Sequence, residues 1–400
     1  MAFLGRIPGV EAVRVDDDFS NNIFSDLAPI LTLFGEQVSK QFMAGSMTWE
    51  DNIIFATAPL GIITAMVGAI RIGGPPWLRA IIGRARENKA SAEVELTTST
   101  SKDVCELWNG ASIVRMMGSG KIFQLVCTEE KMEHPYYGLF TLEEGARMKP
   151  TSDNESEEEG LMATGGSSSD DEVRRKDYAP NISLNLRSFT AWDRRELRIA
   201  AAFGVLVQTC VLIFTAFATY HPRMGYEKEG FPVERYAYPL AAGGTILVAI
   251  GMWICSSIVE SSTVEKEWHA KLRVFWLQQG GGVNDQSFDS YVLLGKGPRE
   301  AVLTSELSMT SNPDTSKFTK TMVLLGTFIT LSGFVIQFTG LRGLHWSGTI
   351  AQLVGTLIML VVRAYIRRDL VLAPSAFKTH HNYELDWLAT RIGRDPTQLW

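Results

Sequence analysis

Cysteine is scarce in this sequence, and the four present, Cys105, Cys127, Cys210 and Cys255, are widely spaced with no CxxC pair. That excludes a disulfide-dense scaffold or a zinc ribbon and leaves four small buried hydrophobes. Histidine is thin as well. Of the six, His380 and His381 are adjacent and the others stand alone, so no metal-ligating spacing exists. Residues 1–18 lack an apolar core and are too acidic for a transit peptide, so no cleaved targeting signal is expected.

The most informative scarcity is that of charge within particular stretches. A composition of 46% hydrophobic and 20% charged residues, with a net charge of −6, resembles that of a soluble protein. The average hides a segregation. Runs 199–220, 236–259, 321–341 and 343–362 contain no Asp, Glu, Lys or Arg, and soluble cores seldom offer four such runs. A fifth run, 53–70, would span roughly 27 Å as a helix, about the hydrocarbon thickness of a thin bilayer. Pro59 and Gly61 interrupt it, which a membrane helix tolerates when neighbours accept the freed backbone groups.

Lys and Arg near the ends of these runs set an orientation. Arg71, Arg79, Arg84, Arg86 and Lys89 follow the first run. Arg187, Arg194, Arg195 and Arg198 precede the second, Lys266, Lys271 and Arg273 follow the third, Lys317 and Lys320 precede the fourth, and Arg363, Arg367, Arg368 and Lys378 follow the fifth. The intervening loops are poorer in net positive charge. The positive-inside rule then predicts five spans with the N-terminus outside and the C-terminus in the cytosol. Two N-x-[ST] sequons, at Asn154 and Asn181, fall on the cytosolic side in this reading.

The expected fold is therefore an α-helical integral membrane protein with about five transmembrane helices and a small cytosolic α+β module built from two loops. Residues 1–52 form an extracytosolic segment, in which Leu27, Leu31, Phe34, Val38 and Phe42 mark an amphipathic helix that either lies on the leaflet or caps the bundle. Residues 53–72 are the first span and 73–148 the first part of the module. Residues 149–178 are an acidic linker expected to be disordered, and 179–196 a second part of the module. The second span is 197–220, 221–235 an outer loop, 236–259 the third span, 260–318 a third part of the module, 319–341 and 342–365 the last spans, and 366–400 a cytosolic tail.

Within the module, Pro75 and Pro76 open a short helix with Trp77 and Ile81 among arginines. Strands are expected at 92–98 by alternation, at 181–186, at 136–142 and at 287–294. A hairpin is expected across Gly118, Ser119 and Gly120, and a helix over Val264, Trp268, Leu272, Phe275 and Trp276.

Chemistry is harder to find. The GSGK at 118–121 lacks the Gly and Ser/Thr that a phosphate loop needs, where Arg115 and Ile122 stand. His381 and Asp386 have the H-x4-D spacing of glycerolipid acyltransferases without the partner motifs. No catalytic, cofactor-binding or metal-binding residue is assigned. Ser152, Ser156, Ser167, Ser168 and Ser169 each precede an acidic residue by three positions, the pattern of acid-directed phosphorylation, and equally that of a plain solvated linker. The spans carry Gln208, Gln337 and Gln352, which serve either as interhelical hydrogen-bond donors or as a permeation path, and no charge in their central turns. Small-residue stripes (Thr57, Gly61, Ala65, Ala69; Ala241, Thr245, Ala249; Ser347, Ala351, Gly355) allow close helix packing, including packing between copies of the chain.

The blocks at 51–88, 92–110, 181–189 and 276–293 resemble those of an uncharacterised family of filamentous-fungal multispan membrane proteins, some of whose members carry C-terminal ankyrin repeats. The resemblance implies a fungal membrane protein and brings no catalytic residues; the ankyrin signature T-P-L-H-x-A is absent here. The sequence thus reads as a non-enzymatic membrane anchor, scaffold or signalling component. Its expected partners are the bilayer, a cytosolic protein and, through the small-residue faces, a second copy, with no nucleic acid. A channel or facilitative transporter is the alternative and a lipid-modifying enzyme the third reading. The plasma membrane is the default location.

Overall fold

A computed structural model describes residues 35–128, 140–141, 181–186, 191–221, 227–228, 231–295, 299–307, 313–368 and 374–394. The five linker serines at 152, 156, 167, 168 and 169 lie outside the described residues. So does the expected amphipathic helix before residue 35, of which Val38 and Phe42 fall in the first described helix.

In chain order the elements begin with α1 (Glu36–Ala44), α2 (Trp49–Ala56), α3 (Ile62–Gly73), α4 (Pro76–Ile81) and α5 (Lys89–Leu96). Strands β1 (Val104–Trp108), β2 (Ile113–Met117), β3 (Ile122–Thr128) and β4 (Phe140–Thr141) follow, then α6 (Ile182–Leu186) and α7 (Ala191–Tyr220). After a ribbon of β5 (Glu227–Lys228) and β6 (Phe231–Pro232) come α8 (Ala237–Glu260), β7 (Thr263–Gln278), β8 (Gly281–Val283), β9 (Gln286–Phe288), β10 (Tyr291–Leu294) and β11 (Arg299–Leu307). The chain closes with α9 (Pro313–Gly343), α10 (Trp346–Ile366), β12 (Ser375–Lys378) and α11 (Glu384–Arg394). They fall into two units, one of Met1–Thr97, Trp192–Ser262 and Met309–Arg368, the other of Thr98–Ala191, Thr263–Ser308 and Asp369–Trp400.

The first unit is helical. Arg195–Tyr220, Ala237–Glu260, Lys317–Gly343 and Trp346–Ile366 are each long and apolar enough to cross a membrane. Helices α8 and α9 pack antiparallel along a seam of glycines. Gly340 meets Ala241, Gly333 meets Val248 and Gly326 meets Cys255, so the α9 glycines recur every seven residues. A side-chain carbon at Gly333 would lie 2.7 Å from the Val248 backbone nitrogen. Glycine is the residue that admits such an approach, and a seven-residue period keeps one face of a helix on its neighbour.

The run 53–70 is not one helix, which corrects the count of five. Pro59 has no N–H and its ring would strike the carbonyl of Phe55 in a continuing helix, so α2 stops at Ala56. The chain then turns through Gly61, whose φ of 73° lies in the left-handed region, and restarts as α3. The two helices form a hairpin. Asn52 at the start of α2 bonds Ser256 and Glu260 at the end of α8, and Gly73 at the end of α3 abuts Ile258 in the same turns. Ile54, Phe55, Ala58, Ile62 and Ala65 are all buried.

Of residues 92–98, expected as a strand, 92–96 instead complete α5, which ends at Leu96. Asn88 caps it by accepting from the Ala90 N–H, and the apparent alternation is overridden because Ala92 and Leu96, four apart, bury one helical face.

The second unit is the α+β module, whose sheet runs β12-β10-β7-β3-β4 with β11 also paired to β7. The expected helix over 264–276 is the long strand β7. Val274 and Trp276 bury one face against Trp108, Ile182 and Val302, while Phe275 and Leu277 bury the other against Leu294 and Leu388. A continuous apolar run is what a strand covered on both faces requires, and it imitates a buried helix in sequence. The hairpin expected around Gly118 does not form: β2 pairs with β1, and β3 pairs with β7 from Ile122↔Gln278 to Thr128↔Leu272. Strands at 286–288 and 291–294 do form where expected. The tail contributes β12 and α11, so this unit draws on three stretches of chain and not on two loops alone.

Residues 182–186, expected as a strand, are helix α6. The Glu106 carboxylate accepts from the Ser183 N–H at 2.8 Å and from its hydroxyl at 2.6 Å, holding negative charge at the helix start. Asn181 and Asn185 then accept the Ser305 and Leu303 N–H groups at 3.0 and 3.2 Å, covering the open edge of β11.

Candidate functional site at a broken helix

The break between α2 and α3 is where the helical unit gathers its buried polar groups. Because Pro59 cannot donate, the Phe55 carbonyl has no partner within its own helix. Arg363 of α10 supplies one. Its Nη2 donates to Phe55 O, to Ala58 O at 2.6 Å and to Ile54 O at 3.4 Å, while its guanidinium carbon lies 4.8 Å from the Phe55 ring centre. A cation on the last carbonyls of a helix is stabilised by the helix's own negative end, and Arg363 sits buried there without a carboxylate partner in the described residues.

One turn on, at the cap just past the end of α10, Arg367 donates to Asp51 Oδ1 at 3.0 Å, and the other Asp51 oxygen accepts from Met47 N and Thr48 Oγ1. Asp51 is 1% exposed and Arg367 7%. Their pairing and surrounding hydrogen bonds offset the desolvation of both charges. Beside them, Asn52 accepts from Ser256 Oγ at 2.6 Å and donates to Glu260, and Glu50 pairs with Arg198 at 3.3 Å. Glu50, Asp51 and Asn52 in the first turn of α2 thus reach α7, the end of α10 and α8 in turn.

At the C-terminal end of α3, Arg71 donates to Glu87 and to Glu95, the latter at 2.7 Å, and Lys40 bridges Glu95 and Glu36 at 3.2 and 2.7 Å. Burial acts to raise the Glu95 pKa, but hydrogen bonds and charge from Arg71 and Lys40 outweigh it and hold the carboxyl below its ordinary value of 4.5.

The three glutamines singled out in the sequence are placed as follows. Gln208 donates to Thr57 O at 2.7 Å, directly at the break, and accepts from Gln352 at 3.4 Å. Gln337 stands apart from that pair and donates to Thr245 Oγ1 at 2.9 Å across the α8–α9 seam. The Ala241 and Thr245 stripe is engaged within the chain at this seam, and Gly355 packs on Val207 and Val211 of α7. In the other unit His381 lies beside Gly280, and among the described residues no hydrogen bond joins it to Asp386.

Sequence reasoning reached the glutamines and missed Asp51, Asn52, Arg363 and Arg367. A usable signal existed: a proline inside an apolar run frees the carbonyl four residues earlier, and two arginines spaced i,i+4 end the last span. A cavity of about 210 Å³ also opens beside the break, lined among others by Thr57, Pro59, Gln208, Leu212, Thr245 and Ala249. Comparison of the chain with protein-family models, curated proteins and solved structures gave no match.

Proposed function

We propose that this chain is a non-enzymatic membrane protein with four spans and a re-entrant hairpin, α2–α3, that anchors the α+β unit and presents it to a protein partner on the cytosolic side. The observation that carries the reading is the state of the polar groups inside the helical unit. Gln208, Gln337, Gln352, Asp51, Asn52 and Arg367 each bond a side chain or backbone group elsewhere in the helical unit, which is the role of interhelical fasteners. A permeation path needs such groups facing an aqueous route.

A hairpin that enters and leaves by one face removes a crossing. In this reading residues 49 and 368 share a face, so both termini lie in the cytosol, in place of the outside N-terminus that a five-span count implies. The basic flanks of the four long helices support the side assignment. Irregular backbone at membrane depth is tolerated where protein buries it, as it does here.

The α+β unit supports the anchoring role because strands or helices from three chain stretches, each adjacent to long helices in sequence, must assemble before it is complete. Affinity capture from gently solubilised membranes is expected to recover one partner reproducibly, and to lose it when the β7–β10 face is disrupted by Trp276→Asp. Repeated recovery of no specific partner overturns the reading. So does a solute flux in reconstituted vesicles that is abolished by Gln208→Leu.

A further inference from the structure

We infer that the cavity beside the α2–α3 break seats the hydrocarbon chain of a membrane lipid. The inference rests on the membrane reading above and adds a ligand to it. The cavity measures about 210 Å³, larger than the roughly 150 Å³ apolar cavity known to stay dry and admit benzene. It therefore has room for the terminal segment of an acyl chain.

The chemistry of the wall selects the occupant. No ionisable side chain lines it. Thr57 Oγ1 donates to Ile54 O, Thr209 Oγ1 to Val205 O and Thr245 Oγ1 to Ala241 O, so each hydroxyl turns its proton back onto its own helix. The Thr57 carbonyl is taken by Gln208, whose own oxygen is taken by Gln352, and Pro59 has no N–H to offer. An ion or polar solute entering here would lose its water and find these groups already engaged. A methylene chain comes from hydrocarbon already, so it gives up no hydration on entering and keeps apolar contact along the slot.

Position agrees with chemistry. The rim residues Val205 and Ile246 are 50% and 51% exposed on α7 and α8, so the cavity opens sideways from two spanning helices. Gln208 and Thr245 lie well inside those helices, near the depth at which lipid chains end. The slot exists because the hairpin stops short: beyond Ala56 no helix continues between α7 and α8.

The test is photolabelling of the full chain reconstituted in phosphatidylcholine vesicles that contain a phospholipid with a diazirine at its chain end, followed by mapping of adducts. Adducts are expected to be several-fold enriched at 205–212 and 245–249 over the more exposed positions Phe328 and Val361. Ala249→Trp and Leu212→Trp, which fill the slot from opposite walls, should each remove that enrichment and leave labelling at Phe328 unchanged. Uniform labelling along all four helices overturns the inference, as does enrichment that survives both fillings in folded protein. Enrichment obtained with a photoreactive sterol and not with the phospholipid overturns the choice of occupant. Release of the chain from the vesicles by carbonate would instead sink the membrane reading itself, and is scored separately before labelling.

Discussion

Arg363 donates a hydrogen bond of 2.6 Å to the carbonyl of Ala58, 305 residues earlier in the chain. This contact, with those to Ile54 and Phe55, converts a proline-broken apolar run into a stable hairpin. It closes the end of α2 with a cation from the last long helix.

Arg363→Met keeps the volume and removes the donor, leaving the Phe55 carbonyl buried without a partner and the Ala58 carbonyl with the Leu60 N–H alone. The expected loss is about 1–3 kcal/mol, the usual penalty for an orphaned buried acceptor. It is read as a lowered thermal midpoint in detergent. Unchanged stability would mean that the hairpin closes its own carbonyls.

Asp51 and Arg367 form the one buried carboxylate pair between α2 and α10 in the described residues. Asp51→Asn and Arg367→Met should each destabilise, and the double variant should lose less than their sum. A coupling of about 1–3 kcal/mol is expected for a buried, hydrogen-bonded pair. Additive effects would show that the two charges do not act together.

Two adjacent glycines separate packing from propensity. Gly243 has open space where a side chain would go, whereas Gly244 faces the Gln337 backbone. Gly243→Ala should be neutral or stabilising by up to about 1 kcal/mol, the helix-propensity gain. Gly244→Ala should lower the folded yield and the thermal midpoint. Equal responses would contradict the α8–α9 seam.

Glu95 gives a pH signature. Its folded pKa lies below the ordinary 4.5, so its contribution is fully present above that value and is lost as pH falls through the folded pKa. Stability measured from pH 6 downward should therefore fall below about pH 4.5, and Glu95→Gln should flatten that part of the profile. An unchanged acid limb in the variant would remove the Arg71 and Lys40 network from the account.

The sequence made the four long helices legible because uncharged length is a local property. The hairpin was not, since Pro59 and Gly61 are also compatible with a kinked span; the deciding partner, Arg363, lies 300 residues away and reads as one more positive charge at a span end. Strand β7 imitated a helix because burial on both faces erases the period of two. Helices α5 and α6 imitated strands, and each is fixed by a side-chain cap, from Asn88 in one case and from Glu106 in the other. Asn181, a sequon by pattern, is 1% exposed and holds β11 through its side chain. A glycan there is therefore barred by packing on either side of a membrane, and its absence carries no topological information.

The central claim is that α2 and α3 enter and leave by one face. Short epitopes fused to the two ends of the chain, probed with an impermeant protease in sealed, oriented vesicles, test it most directly. Both epitopes are expected to share one accessibility, cleaved together or protected together. Cleavage of one with protection of the other, in vesicles shown to be intact, would restore a fifth crossing and contradict the hairpin.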